Sequence, residues 1–290
     1  MRLKITQNRS VTSIYIDLPD DREQWFLVQS DNHHDAVTCN RQLEKRHLDE
    51  AKSRGALIFM TGDFFDAMQG RFDPRRSMDA LRPEYRVQNY FDVVPEDAAK
   101  FLAPYAENIV LIGKGNHESS ILKNNNVDLT DRLVSALNRA GGHAVTGGYG
   151  GWLRVMVSHT GKQRGSVKIR YFHGAGGEAP VTRGTIQTNR QSVYWPDADV
   201  VINGHSHNAY EIPITRERIS NKGNMFYDVC YHIRVPGYQM AYGDGSGGWE
   251  VERGGVPKPV GAYWLRVYWV TNGDNRRLAV QPVSAIEAPE

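Results

Sequence analysis

Two histidines stand at i and i+2 directly after an apolar segment in the sequence VVINGHSH, residues 200–207. The aliphatic residues at 200–202 predict a buried strand, and Gly204 leads from this strand to His205 and His207. In extended backbone, residues i and i+2 point to the same side, so we expect both imidazoles to reach one site. Gly204 would let the turn pass close to that site.

Four other apolar segments are also followed by aspartate, asparagine or histidine, usually beside glycine. The segments WFLVQ, ALIFM, IVLI and VKIRYF each predict a strand. The sequences that follow them are SDNHHD (30–35), TGDFFD (61–66), GKGNHE (113–118) and HGAGG (173–177). One such residue alone is usually a hydrogen-bonded loop residue or a helix cap. Five sets at equivalent places predict a single site, because ligands of open α/β sheets bind at the carboxyl ends of the strands.

The types of these residues indicate a metal site. Carboxylate, amide and imidazole groups without thiolate favour Mn²⁺, iron or Zn²⁺ over calcium or a structural cysteine–zinc site. The candidates are too many for one ion that keeps an open position. They suit two ions about 3.5–4 Å apart that share a carboxylate, an arrangement used for in-line phosphoryl chemistry. Such a pair lowers the pKa of a bound water and holds the phosphate oxygens as charge develops.

Strands and helices must alternate along the chain to bring these segments together. Helices are predicted at 36–54, 95–107 and 129–140, between the first strands. Gly55 is a natural stop for the first helix, and Pro95 is acceptable at the start of the second. This alternation predicts an α/β fold in which helices cover a largely parallel sheet.

The sequence changes character after about residue 150. Segments 153–158 and 167–172 are rich in β-forming residues, and the intervening GKQRG predicts a hairpin. Beyond residue 209 the chain is mostly strand and turn. We therefore expect residues 209–290 to be mostly antiparallel β-structure that completes one sandwich, so that 1–290 form one domain.

The composition is ordinary for a globular protein of 290 residues, with 40% hydrophobic and 23% charged residues. A net charge of +2 neither requires nor excludes a polyanionic partner. Cys39 and Cys230 form no CxxC motif, so we expect reduced thiols. The N-terminus lacks the apolar region of a secretory signal, and no apolar run is long enough to span a membrane. These features predict a cytoplasmic protein without a membrane partner.

The motifs D-x-H, GD-x-x-D, GNHE, H and GHxH, in this order, resemble the signature of the calcineurin-like metallophosphoesterase family. The resemblance extends over roughly residues 25–210, and the five-part set is specific. It implies a sandwich of two mixed β-sheets flanked by helices, with a dinuclear metal centre at the strand ends.

The resemblance also implies a role for each motif residue. It assigns seven metal ligands: Asp31, His33 and His207 for the first ion, Asn116, His173 and His205 for the second, and Asp63 as the bridge. His117 would act on the substrate, and Asp66 would orient its ring. A hydroxide that bridges two divalent ions would be the nucleophile, so no covalent intermediate is expected. Mn²⁺ is the favoured ion for reconstitution, with iron, zinc or nickel as alternatives.

Two of these assignments have competitors in the sequence. His159 also ends an apolar segment and could replace His173, although the glycines after His173 favour the latter. His34 could replace His33, although the D-x-H spacing favours His33. The other reading of His34 is a histidine behind the site or on the surface.

The substrate is less clearly indicated than the metals. In the phosphoprotein phosphatases, Arg-Gly follows GD-x-x-D and the arginine binds phosphate, whereas Ala67-Met68 stand here. The sequence GDFFD is more similar to the nucleases of the family. An arginine-rich insert at 69–92 supplies Arg71, Arg75 and Arg76 as candidate substrate contacts, with aromatics such as Tyr85 for base stacking. A solvated, self-paired charged surface explains the insert equally well.

The leading hypothesis is a metal-dependent phosphodiesterase or nuclease that acts on nucleic acid or a nucleotide. One alternative is a phosphomonoesterase for small molecules or nucleotides, with a narrower site. Another is a non-catalytic binding scaffold, which is disfavoured because a scaffold has little reason to keep both the ligands and the non-ligand His117. The sequence does not indicate the oligomeric state.

Overall fold

A computed structural model describes residues 3–19, 22–69, 77–159, 162–176, 181–240, 256–272 and 275–288. The strands in these residues are β1 (Lys4–Asn8), β2 (Val11–Asp17), β3 (Glu23–Gln29), β4 (Leu57–Met60), β5 (Ile109–Ile112), β6 (Val145–Thr146), β7 (Gly150–His159), β8 (Lys162–Phe172), β9 (Val200–Asn203), β10 (Tyr210–Ile219), β11 (Met225–Arg234), β12 (Val260–Asn272) and β13 (Asn275–Glu287). The helices are α1 (Arg41–Ser53), α2 (Tyr90–Leu102), α3 (Asn116–Asn125), α4 (Leu129–Arg139) and α5 (Thr185–Tyr194). Short 3₁₀ turns occupy Pro83–Tyr85 and Ala103–Tyr105.

The strands form two mixed sheets, as the resemblance implies. A six-stranded sheet has the order β13-β12-β3-β4-β5-β6, in which β3 to β6 are parallel. Gln29 pairs with Met60, and Met60 pairs with Ile112, so β3, β4 and β5 end at the same level. All four residues of β4 and of β5 are buried, since sandwich core covers one face of the sheet and helices cover the other.

The second sheet has seven strands in the order β1-β2-β7-β8-β9-β11-β10. Strands β8 and β9 are parallel, and Tyr171 pairs with Ile202 close to the end of each strand. The last four strands of the chain form two antiparallel hairpins, with β10–β11 in this sheet and β12–β13 in the six-stranded sheet.

The two sheets face each other across one apolar core. Phe26 and Phe59 of the six-stranded sheet belong to the same buried cluster as Ile169 and Ile202 of the other sheet. A second cluster lies between the six-stranded sheet and the helices, and Leu48 of α1 belongs to it. Full burial of a Leu, Ile or Phe side chain contributes about 1.5–3 kcal/mol, so this packing fixes the level at which the strands end.

The second predicted helix begins five residues earlier than the sequence indicates. The expectation that Pro95 begins the helix is wrong, because α2 starts at Tyr90 and Pro95 lies inside it. Proline cannot donate to the carbonyl of Phe91, four residues before it. Arg132 of the neighbouring α4 supplies the missing donor, with Nη1 at 3.1 Å from that oxygen. A side chain from another helix therefore lets α2 continue through the proline.

Helix α1 is shorter than predicted, because it begins at Arg41 rather than at residue 36. Asn40 caps it and accepts a hydrogen bond from the backbone of Leu43 at 3.0 Å. Helices α3 and α5 and the hairpin β1–β2 are not predicted from the sequence. In the described part of the chain, no helix has both the length and the apolar character needed to cross a membrane.

Candidate metal centre

Polar side chains from both sheets meet at the carboxyl ends of their central strands. The six-stranded sheet supplies Asp31 and His33 after β3, Asp63 after β4 and Asn116 after β5. The seven-stranded sheet supplies His173 after β8 and the histidines after β9. Their donor atoms form three overlapping groups, each within 4.8 Å: Asp31, His33 and His207; His33, Asp63 and His117; Asp63, His173 and His205. The five segments therefore converge on one site.

The first group brings two imidazole rings, tilted by 55° to each other, together beside a carboxylate. Nε2 of His33 lies 3.2 Å from Nε2 of His207, which lies 3.3 Å from Oδ1 of Asp31. Nδ1 of His33 donates to Oδ1 of Asp66 at 3.0 Å, so the lone pair of His33 is on Nε2. Two ring nitrogens and a carboxylate oxygen directed at one point fit a divalent cation.

The second group is built around the amide oxygen of Asn116. This oxygen lies 2.7 Å from Nδ1 of His205 and 3.2 Å from Nε2 of His173. Oδ2 of Asp63 lies 3.0 Å from the same nitrogen of His173. Asp63 also belongs to the group that contains His33, so its carboxylate lies between the two ends of the centre.

The carboxylates of the centre are held in the charged form. Burial would raise the pKa of Asp31, but the neighbouring His173 and His207 outweigh this effect and bring it to about 2. The same balance, again with His173 as the largest opposing charge, holds the pKa of Asp63 well below its usual value. In return, the two aspartates raise the pKa of His173 to about 9 against the effect of burial. This set of buried anions and nitrogen donors, without thiolate, fits divalent metal ions.

The backbone at the centre is unusual for residues that carry a side chain. Five of the seven candidate ligands have positive φ: Asp31 (51°), His33 (47°), Asp63 (50°), His205 (73°) and His207 (54°). Such conformations cost on the order of 1–3 kcal/mol each and persist where the surroundings impose them. The expectation that an extended strand presents His205 and His207 is therefore wrong. Strand β9 ends at Asn203, and left-handed backbone aims both rings.

Two glycines are required by the close approach of the loops. A Cβ atom on Gly204 would lie 2.3 Å from Oδ2 of Asp31, and one on Gly115 would lie 1.9 Å from Oδ1 of Asp63. Both contacts are far too short for non-bonded atoms, as is the 2.0 Å between a Cβ atom on Gly204 and Oγ of Ser30. Each of the two glycines thus approaches a candidate ligand closely. The predicted close passage at Gly204 is thus present.

His117 lies on the first turn of α3, at the edge of the centre. Its backbone N–H donates to Oδ1 of Asp63 at 2.9 Å, and its Nε2 lies 3.7 Å from Oδ2 of the same residue. Its Nδ1 donates to the carbonyl oxygen of Asp66, whereas the Asp66 carboxylate is 3.9 Å away and serves His33. Burial would lower the pKa of His117, but Asp63, Asp66 and that carbonyl outweigh it and raise the pKa.

Two buried carboxylates that the sequence analysis did not single out fix the loops of the centre. Glu118 accepts from the backbone N–H groups of Asp63 (3.1 Å), Phe65 (2.9 Å) and Gly115 (2.8 Å). Burial, reinforced by Asp63, raises the pKa of Glu118 to about 7. Asp35 accepts from the backbone of Asp66 at 2.6 Å. The sequence does contain a signal for Glu118, because GNHE places a glutamate three residues after the helix cap Gly115.

The two competing histidines lie away from the donor atoms. His34 is fully buried on the other side of its loop, with its ring stacked on Phe64 at 5.2 Å. His159 pairs with Lys162 at the far end of the β7–β8 hairpin, whereas His173 follows the end at which Gly150 pairs with Phe172. The geometry therefore brings His33 and His173 to the centre.

The candidate substrate contacts Arg71, Arg75 and Arg76 lie outside the described residues. Three described aromatics of GDFFD and the insert are buried. Phe64 and Phe65 of GDFFD are buried in the core between sheet and helices. The expectation that Tyr85 can stack on a base is wrong, because its ring is fully buried and its hydroxyl donates to Asp97 at 2.6 Å.

Among solved structures, the chain is similar to a conserved uncharacterized protein (predicted phosphoesterase) from Streptococcus pneumoniae, with 12% identity over 90% of this chain and 99% of that chain and a TM-score of 0.34. It is also similar to Vacuolar Protein Sorting 29 from Cryptosporidium parvum, with 12% identity over 91% of this chain and 100% of that chain and a TM-score of 0.38. A third similar structure is GAP50, the anchor in the inner membrane complex of Plasmodium, with 13% identity over 90% of this chain and 84% of that chain and a TM-score of 0.44.

A search of curated proteins found no match. The profile of the calcineurin-like phosphoesterase family matches residues 25–209. This range exceeds half of the chain and includes all five motifs, from Asp31 to His207. The resemblance is thereby confirmed, and this chain belongs to the calcineurin-like phosphoesterase family.

Proposed function

We propose that this chain is a metal-dependent phosphodiesterase that acts on nucleic acid or a nucleotide. Membership of the calcineurin-like phosphoesterase family supports metal-dependent phosphoester hydrolysis in general. The observation that carries the proposal is the convergence of seven nitrogen and oxygen donors from five separate segments. Donor atoms lie within 4.8 Å of one another inside each group, and the Asn116 oxygen lies 2.7 Å from Nδ1 of His205.

The donor groups suit two divalent ions, one at each end of the centre. Asp31, His33 and His207 would hold the first ion, Asn116, His173 and His205 the second, and Asp63 both. When bound, such ions supply an acidified water and positive charge against the phosphate oxygens. Asp66 contributes by holding His33 in the tautomer that offers Nε2 to the first ion.

His117 is suited to protonate the leaving oxygen of the substrate. Its Nδ1 is engaged by the carbonyl of Asp66, so Nε2 is the nitrogen on the side of the centre. The neighbouring carboxylates favour the imidazolium form, which can give a proton from Nε2 and draw a new one from solvent. An alcohol leaving group needs such an acid, because an alkoxide is otherwise expelled with difficulty.

The environment of the second motif favours a diester over a monoester. A phosphomonoester dianion carries one more negative charge than a diester, and a cation beside the site would balance it. Position 67, where the related phosphoprotein phosphatases have arginine, is a buried alanine in this chain.

The test is hydrolysis by purified protein that has been stripped with a chelator and reloaded with Mn²⁺. Substrates are bis(p-nitrophenyl) phosphate, p-nitrophenyl phosphate, and single-stranded DNA and RNA. We expect metal-dependent turnover, faster with the diester than with the monoester, together with cleavage of at least one nucleic acid.

The outcomes separate the candidate functions. Faster turnover of the monoester without nucleic-acid cleavage would overturn the diesterase proposal and leave a phosphomonoesterase. Tight binding of two ions without turnover of any substrate would leave the non-catalytic scaffold.

A further inference from the structure

Glu44 lies buried in α1, behind the loop that carries Asp31 and His33. Its carboxylate is fully shielded from solvent. It accepts a hydrogen bond from Nδ2 of Asn32 at 2.9 Å and one from Nδ1 of His34 at 3.1 Å. Asn32 and His34 are the residues on either side of His33, so one carboxylate is hydrogen-bonded to the loop both before and after this candidate ligand.

The loop sends alternate side chains to opposite sides. Asp31 and His33 face the donor groups of the centre, whereas Asn32 and His34 face α1. Positive φ at both Asp31 and His33 produces this arrangement and is unfavourable for residues with a Cβ atom. Without an outside constraint, the loop would relax toward ordinary backbone and withdraw the metal-facing side chains.

A buried carboxylate supplies such a constraint. If Asn32 and His34 moved away, the buried carboxyl group of Glu44 would lose both of these hydrogen bonds, and a buried polar group without partners is strongly unfavourable. The loop conformation that satisfies Glu44 is the same one that aims His33 at the first ion. Backbone bonds from His33 to Asp63 O (3.1 Å) and from His34 to Phe64 O (2.8 Å) join the loop to the end of β4, and Asp66 holds the His33 ring from the other side. Glu44 adds hydrogen bonds to the two residues that flank His33.

We propose that Glu44 is a positioning residue for the ion held by Asp31, His33 and His207. This inference rests on the proposed metal centre and deepens it. Groups that orient metal ligands from behind typically change metal affinity by about 10–100-fold when they are removed. The effect should be confined to the first ion, because in the described part of the chain the side chain of Glu44 bonds to residues of the loop after β3.

The experiment is calorimetric titration of chelator-stripped protein with Mn²⁺, which reports affinity and stoichiometry independently of turnover. We compare Glu44→Ala with Leu48→Ala, which removes a buried side chain from the same helix. We expect Glu44→Ala to weaken one of the two ions by about 10–100-fold. We expect Leu48→Ala to lower thermal stability but to leave both affinities within about threefold of the parent, since the aliphatic side chain of Leu48 can make no hydrogen bond to the loop.

Variants that lack one ligand assign the affected ion. In a His207→Ala background the first ion is already weakened, so Glu44→Ala should have little further effect. In a His205→Ala background, in which the first ion remains, Glu44→Ala should weaken that ion as strongly as in the parent. Glu44→Gln keeps one oxygen that can accept from Asn32, but its NH2 group can only donate to His34, whose Nδ1 accepts in the other tautomer of the ring. This variant should therefore restore part of the affinity, and it also carries the test if Glu44→Ala does not fold.

The outcomes separate this inference from the function on which it rests. A parent protein that binds no metal would overturn the proposed function. A parent that binds two ions and a Glu44→Ala variant that binds both with unchanged affinity would overturn only the role of Glu44. Equal weakening by Glu44→Ala and Leu48→Ala would also overturn it, because the effect would then be general destabilisation.

Discussion

Asp66 serves two histidines through two different atoms. Its carboxylate accepts from Nδ1 of His33, and its carbonyl oxygen accepts from Nδ1 of His117. In both rings Nε2 is therefore the nitrogen available to the centre. One residue thus sets the ring orientation both of a metal ligand and of the proposed acid.

Replacement of His117 should separate proton transfer from metal binding. We expect His117→Ala to keep both ions but to lower kcat for a diester about 10²–10⁴-fold, the usual contribution of a positioned acid. The loss should be smaller for a substrate with a good leaving group, such as p-nitrophenolate. The measurements are kcat with both kinds of diester and metal content by elemental analysis.

The control for this variant is His143→Ala, which removes an exposed imidazole near the end of α4. It should leave both quantities unchanged. Loss of metal from His117→Ala would show that His117 is a ligand and would contradict its role as an acid.

The loop that leads from β5 to α3 packs closely against Asp63 at Gly115. At Gly115, φ is −104°, a value that any residue can adopt, so only the contact with Asp63 forbids a side chain. We expect Gly115→Ala to displace the Asp63 carboxylate and to lower Mn²⁺ affinity at least tenfold, as measured by titration. The expected loss reflects a ligand moved by more than the roughly 0.5 Å tolerance of a preorganised site.

A matched glycine lies nearby. At Gly148 a new Cβ atom would meet nothing closer than 3.4 Å, an ordinary contact. Gly148→Ala should therefore bind Mn²⁺ like the parent. If Gly115→Ala also did so, the close approach to Asp63 would not matter for the centre.

Strand β11 carries a histidine that should make stability depend on pH. His232 is buried, and neither ring nitrogen has a hydrogen-bond partner among the described residues. Burial, with a smaller contribution from Arg216, lowers the pKa of His232 to about 4 from 6.5. In the unfolded chain His232 binds a proton near pH 6.5, whereas in the folded chain it stays neutral until about pH 4. The free energy of unfolding is therefore highest above pH 6.5 and falls as the pH drops toward about 4.

The size of this effect is on the order of 2 kcal/mol between pH 7.5 and 4.5. It is measured by urea unfolding of the metal-free protein and of His232→Leu at both pH values. Between the two pH values, the free energy of unfolding of the parent should fall by about 2 kcal/mol more than that of His232→Leu. Equal losses would mean that His232 is protonated in the folded state.

The sequence predicts elements best where apolar runs are uninterrupted. Strands β5 and β9 occupy the predicted residues 109–112 and 200–203, because every side chain in them is buried or nearly so. Helix α3 was missed because NHESSILKNN has few apolar residues and begins inside a motif. The start of α2 was misplaced because the donor that compensates for Pro95 belongs to Arg132, 37 positions further along the chain.

For the centre, the sequence indicates which residues converge but not how they are aimed. Spacing identified the donor residues, because each follows a recognisable strand. It could not indicate positive φ at His205 and His207, since that conformation is imposed by tertiary contacts. The hydrogen bonds of Glu44 to Asn32 and His34 could not be predicted either. They join a loop to a helix, and only the folded structure determines which face of that helix is turned toward the loop.

At the scale of the whole molecule, bound metal should stabilise the fold. Removal of the ions leaves the buried carboxylates of Asp31 and Asp63 with histidine side chains as their only positive neighbours among the candidate ligands. At a free Mn²⁺ concentration of about 100 times Kd, one ion contributes about 2.7 kcal/mol. For a domain of this size, that corresponds to a rise in Tm of about 5 °C.

This prediction is checked by thermal unfolding with EDTA and with Mn²⁺. Asp63→Asn is the matched control, since it weakens both proposed sites and should show a much smaller difference. Equal Tm values for the parent in EDTA and in Mn²⁺ would contradict a metal centre of useful affinity.

The centre draws its donors from both layers of the sandwich, four from the six-stranded sheet and three from the other. The 3.3 Å approach of His207 to Asp31 and the 2.7 Å approach of His205 to Asn116 both cross the seam between the layers. Ions bound there would link one layer to the other along a single edge of the sandwich. Any slippage of the layers would then be resisted most strongly at this edge, and the opposite edge would be the natural place for the sandwich to begin to open.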